Sequence, residues 1–234
     1  MLKFLPTTTA IVSLFFVSVI YADMEVQPTQ LYIAKNRSAS VTFKLTDETE
    51  TKIYNVTALK WSQNEKGEDV LTPDPVVMIN PKNFSIKPEK SQTVRVGFSQ
   101  PVQAMNLKQE GSWRIIFTEI PPVKEQETVK FLLNFSLPLF VGKQQKADLS
   151  ANINYKSNKL ILSLKNNASS HVQIKEIKLM DSNGKMIATN SNSKYLLAYQ
   201  KNEFNLGDVK VINPKGYKLL ITIDNQNEPL EISL

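Results

Sequence analysis

From residue 129 the chain reads Val129, Phe131, Leu133, Phe135, Leu137 and Leu139, six apolar residues at strict two-residue spacing. Side chains at i, i+2 and i+4 of a strand share one face. The segment 129–141 therefore predicts a β-strand with one continuous apolar ridge. Its other face is mixed: Lys130, Leu132, Asn134, Ser136, Pro138 and Phe140. The run exceeds the five or six residues of an ordinary strand. A ridge this long needs either a large core of its own or a partner.

Elsewhere, helical periodicity is almost absent. Short runs rich in Val, Ile, Thr, Phe and Tyr alternate with Asn, Asp, Pro and Lys clusters, the pattern of successive strands and turns. The first half predicts strands at 25–34, 39–46, 52–63, 76–79, 83–86, 92–99, 112–119 and 129–141. That spacing is the one an immunoglobulin-like sandwich requires. A polar stretch, 142–148, reads as a linker. The second half repeats the pattern at 149–155, 159–165, 172–180, 185–189, 194–198, 203–206, 217–223 and 230–234, with Asn183-Gly184 as a hairpin turn. The expected fold is all-β, two immunoglobulin-like β-sandwich domains in series. The limits are 23–143 for the first domain and 144–234 for the second, and 234 residues suffice for both cores.

The first 22 residues read as a signal peptide. Lys3 gives a positive start, and 10–21 is apolar apart from Ser13 and Ser18. Twelve residues are too few to span a bilayer core of about 30 Å, so no membrane insertion is expected. There is no cysteine, which removes disulfides, thiolate metal sites and cysteine nucleophiles. The net charge is +6, but the lysines are scattered and form no basic stripe for nucleic acid.

Catalytic constellations are missing. The chain has neither a Gly-rich phosphate loop nor a Gly-x-Ser-x-Gly elbow. Its single histidine, His171, follows Asn166-Asn167-Ala168-Ser169-Ser170 and reads as a solvated turn residue rather than a catalytic base. Glu65, Glu68 and Asp69 flank Gly67 at a hairpin tip, where they serve solvation and do not match a calcium loop. The expectation is no enzyme, no metal and no cofactor. Recognition is what remains.

Two ordered fragments make that specific. Pro81-x-x-Phe84-x-Ile86-x-Pro88-x-x-x-Gln92-Thr93-Val94-Arg95-Val96 precedes Trp113-Arg114-x-x-Phe117-x-Glu119-Ile120-Pro121-Pro122. Asn166-Asn167, His171-Val172 and Ile223-Asp224 follow in the second half. Together they resemble the periplasmic pilus (fimbrial) chaperones of the chaperone–usher pathway, the PapD-like family. The missing cysteines and Leu-Pro-Leu-Phe at 137–140 are more like its archaic, Csu-like branch. The resemblance implies two sandwiches in a boomerang arrangement, and a periplasmic protein that binds pilin subunits and delivers them to an outer-membrane usher. It implies donor-strand complementation, in which the chaperone adds a strand to a subunit that lacks one. The alternative is a two-domain structural or adhesive surface protein.

By this resemblance the lending residues are Val129, Phe131, Leu133, Phe135 and Leu137, although the same ridge also suits the core face of the first domain. Self-association of the free chain would be another way to cover it. Family members outside the archaic branch anchor the subunit's terminal carboxylate with a basic pair between the domains. Here Gln30 and Pro138 stand at those positions. Arg114, Arg95 and Gln30 are the candidate anchors, Arg114 being favoured. Glu119 and Asp224 match positions of interdomain charge pairing, and Lys143 stands beside Gly142, where a basic partner is expected.

Overall fold

The structure, a computed structural model, describes residues 24–46, 50–121, 132–211 and 214–234. The first half contains β1 (Met24–Gln27), β2 (Leu31–Ile33), β3 (Ser38–Leu45), β4 (Lys52–Gln63), β5 (Asp69–Pro73), β6 (Met78–Asn80), β7 (Asn83–Ile86), β8 (Ser91–Gly97), β9 (Gly111–Ile120) and β10 (Asn134–Val141). The second contains β11 (Leu149–Lys156), β12 (Lys159–Asn166), β13 (Val172–Met180), β14 (Met186–Asn190), β15 (Lys194–Leu196), β16 (Lys201–Asn205), β17 (Lys218–Ile223) and β18 (Leu230–Ser233). The only helical element among the described residues is a short 3-10 turn, Val102–Met105.

The first sandwich faces a sheet of order β1-β3-β8-β6 onto one of order β2-β10-β9-β4-β5, with β7 also paired to β4. Alternation explains the layers. Val41, Phe43 and Leu45 of β3 meet Tyr54 and Val56 of β4 and Ile115 and Phe117 of β9, all fully buried. Rings fill the centre, with Phe43 and Phe117 centroids 4.5 Å apart. Each buried side chain of this kind stabilises by roughly 1.5–3 kcal/mol.

The second sandwich packs β11-β12-β16 against β14-β13-β17-β18, with β15 also on β13. Leu160, Leu162 and Leu164 of β12 form one wall of its core. In β13 the buried positions step from Ile174 to Ile177, because the register shifts between Ile174 and Glu176. A bulge of that kind moves the alternation by one residue.

The strands depart from expectation in two places. The strand expected at 25–34 is broken: β1 pairs with β3 in one sheet and β2 with β10 in the other. Pro28 lies at the break and has no N–H for a ladder. Nothing in the sequence reading marked β5, whose residues are all exposed at a sheet edge. An edge strand without a buried face carries no alternation to read.

Candidate functional site

β10 is paired unequally. Along its whole length, from Asn134↔Thr118 to Val141↔Gly111, it pairs with β9. On its other side β2 covers only Leu139, Phe140 and Val141. Among the described residues, the backbone of 134–138 therefore has an open edge. An unpaired edge exposes backbone donors and acceptors to any added strand.

The apolar ridge divides along this strand. Leu139 is fully buried and Leu137 is 7% exposed, both in the core of their own sandwich. Phe135 is half-buried, its ring 5.9 Å from Phe43 and 6.2 Å from Tyr54. Leu133 is 39% exposed. Leu137, expected among the lending residues, is thus already engaged at home. Val129 and Phe131 lie outside the described residues.

Glu119 fixes the start of β10. Its carboxylate accepts the Leu133 N–H at 2.8 Å and lies 3.5 Å from Lys52 Nζ. Asp224 pairs instead with Lys175, at 2.9 Å within the second sandwich. Lys143 is exposed and, among the described residues, makes no ion pair. The expected trio of Glu119, Lys143 and Asp224 is not assembled. The reason is the direction of β9: its Gly111 end meets Val141 beside the linker, and Glu119 lies eight residues away. At about 3.4 Å per residue, that is roughly 27 Å.

The two sandwiches are joined by other groups. Outward-facing Trp61 of β4 and Phe140 of β10 form a small apolar cluster with Leu197 and Tyr195 of the second sandwich. His171 stacks flat on Phe140, with centroids 3.4 Å apart and an interplanar angle of 6°. Glu110 Oε2 accepts the His171 backbone N–H at 2.8 Å and lies 2.6 Å from His171 Nδ1. Both side chains are only 2% exposed. The sequence reading of His171 as a solvated turn residue is therefore corrected: the turn faces the other sandwich, not water. Asn166 holds that turn, with Nδ2 on the carbonyls of Ser170, Leu196 and Leu197.

The long hairpin β4–β5 makes a second joint. Gln63 donates to the Tyr195 carbonyl and accepts from the Leu197 N–H, at 2.9 and 3.0 Å. At the tip, Asn202 donates to the Gly67 carbonyl at 2.8 Å. Gly67 has φ +77°, and a Cβ there would lie 2.7 Å from the Lys201 carbonyl oxygen, so only glycine fits. The tip expected to be purely solvated is a strut against the second sandwich.

The three anchor candidates separate clearly. Arg114 points into an open cavity of about 450 Å³ between the sandwiches. Its guanidinium lies 3.8 Å above the Trp61 ring and 5.5 Å from that of Tyr195. Burial lowers its pKa, offset in part by the charge of Asp69. Arginine nonetheless stays cationic. Among the described residues it has no carboxylate within ion-pair distance. Gln30 is already used: its amide donates to Gln173 Oε1 and to the Tyr195 hydroxyl, and its oxygen accepts from Tyr32. Arg95 is exposed on β8 in the opposite sheet, away from this cavity. Pro138 is buried, opposite Arg114 in the ladder. No three metal-ligating side chains cluster among the described residues.

A family model described as pili and flagellar-assembly chaperone, PapD N-terminal domain, matches residues 23–143. The chain belongs to this chaperone family. Solved structures extend the likeness beyond the matched domain. A chain of the CsuC–CsuE chaperone–tip adhesion subunit pre-assembly complex, from the archaic Csu pili of Acinetobacter baumannii, superposes with a TM-score of 0.68. It is 18% identical and covers 90% of this chain and 97% of that one. The E. coli chaperone DraB follows at 0.59, 15% identical, covering 90% and 98%. The Salmonella enterica SafA pilin–SafB chaperone complex gives 0.58, 12% identical, covering 93% and 99%. These likenesses carry the two-sandwich fold. No curated protein matches the sequence.

Proposed function

We propose that this chaperone captures pilin subunits by adding β10 to them, holds them in the periplasm and hands them to an outer-membrane usher. The single observation that supports this most is the open edge of 134–138 with exposed Leu133 just before it. A subunit one strand short would pair with that edge and cover the apolar side chain. The apolar contribution is graded. Leu137 and Leu139 hold the lending strand to its own sandwich, whereas Leu133 and the free part of Phe135 remain for the partner. Fully burying one such side chain contributes about 1.5–3 kcal/mol, so backbone pairing and the residues before 132 must supply the rest.

Arg114 is the carboxylate anchor in this reading. A half-buried cation with no paired carboxylate among the described residues suits a subunit terminus, because a charge-assisted bond fixes register as well as affinity. The domain limits expected from the sequence, 23–143 and 144–234 after a signal peptide of 1–22, fit the same reading.

Co-expression with candidate pilin subunits, followed by co-purification, tests it. Leu133→Asp should leave the thermal melt unchanged and abolish the one-to-one complex. A Leu133→Asp chain that co-purifies as much subunit as the original would overturn the assignment of the lending strand.

A further inference from the structure

The outer face of the β4-β9-β10 sheet is apolar at the end far from the joint. Ile53 lies opposite Ile120 in the β4–β9 ladder. Continuing the β9–β10 register two residues beyond Asn134↔Thr118 places Leu132 opposite Ile120 on the other side. Ile53, Ile120 and Leu132 are exposed by 39, 40 and 41%. Ile53 and Ile120 form a cross-strand pair, and Leu132, two residues before β10 begins, extends their line by register, about 10 Å in all at the usual strand spacing. The next row along the same face is polar: Asn55, Thr118 and Asn134. Arg114 then stands six residues from Ile120 on β9, roughly 20 Å away.

We propose that Ile53, Ile120 and Leu132 are a second contact for the captured subunit, a distal apolar pad that works together with Arg114 to set its register. This rests on the capture reading above. The row ends at the open edge of β10, so a strand added to that edge places its own residue next in line, beside Leu132. The occupant is therefore the subunit strand itself. If its terminal carboxylate reaches Arg114, the residue about six positions earlier stands level with the pad, since both strands advance by about the same rise. The pad selects an apolar side chain there. A polar residue would leave Leu132, its immediate neighbour, uncovered and would lose its own hydration. The polar middle row contributes hydrogen bonding without discrimination. Two separated contacts of unlike chemistry exclude a slipped register, because a slip of two residues keeps the same face but mismatches both ends.

The test uses a pilin subunit shown to co-purify with the unaltered chain. Ile120→Asn combined with Leu132→Asn should leave the melt unchanged and speed dissociation of the complex about tenfold. Ile120→Leu, which keeps the apolar surface, should dissociate at the original rate. In the subunit, replacing the residue six positions before its terminus by Asp should reproduce the loss. Dissociation of the double variant at the original rate, with Leu133→Asp abolishing capture, overturns the pad and leaves the capture reading standing. Undiminished capture by Leu133→Asp overturns both. If the double variant melts early, Ile120→Gln alone decides by the same rates.

Discussion

The two halves of β10 are one strand under two different obligations. From Pro138 to Val141 it is buried, and at 139–141 it is paired on both sides. Its outer side chain there, Phe140, carries the joint with His171. From Asn134 to Ser136 the strand is paired on one side, and Leu133 just before it stays exposed. The first half is held by its own fold, and the second half is held out by it. A lent strand must be anchored somewhere, or its ordering would be charged against every capture. Burying Leu137 and Leu139 at home pre-orders the exposed half without a partner.

The largest expected effect lies in the anchored half. Phe140→Ala removes a fully buried ring from the joint and should cost about 3–5 kcal/mol in urea unfolding. Leu133→Asp, seven residues earlier, should cost almost nothing. Equal losses at the two sites would erase the distinction between the halves.

A middle-sized effect is expected at the cleft end. Arg114→Ala should weaken subunit binding by about 1.5–3 kcal/mol, the range for a hydrogen bond to a charged group. Arg95→Ala, on the opposite sheet, should leave binding as it was. Titration of each variant with subunit checks this, and equal affinities would remove Arg114 from the site.

The smallest effect concerns pH. The Tyr32 hydroxyl is pushed from 10.0 up to about 12, first by burial and then by the charges of Asp224, Tyr195 and Glu110, against an Asn225 hydrogen bond that lowers it. The unfolded chain gives up that proton more readily, so its contribution is complete below pH 10.0 and is lost as pH rises toward about 12. Tyr32 is 42% exposed, so the loss is screened and small. Tyr32→Phe should flatten the fall in stability across that window, as read by denaturant midpoints. A fall as steep as in the original chain would place the alkaline sensitivity elsewhere.

Alternation made much of the fold legible. β4 was expected at 52–63 and is found there, because one face meets a continuous core. The β10 ridge was equally plain, but the residue at which it passes from core to partner was not. Leu137 and Leu133 are identical in the pattern and differ only in what lies opposite. The joint was least legible. Glu110 and His171 are 61 positions apart, and nothing local marks either as buried. β5 was missed because an edge strand exposed on both faces carries no period. Gln30 and Pro138 did signal, by departing from the related pattern, that the anchor had to be sought elsewhere.

Amide hydrogen exchange along β10, free and in complex with a subunit, is the most direct measurement. The account predicts new protection at 134–137 in the complex, with amides at 139–141, already enclosed by β2 and β9, unchanged. Stable complex formation without any added protection at 134–137 would contradict it.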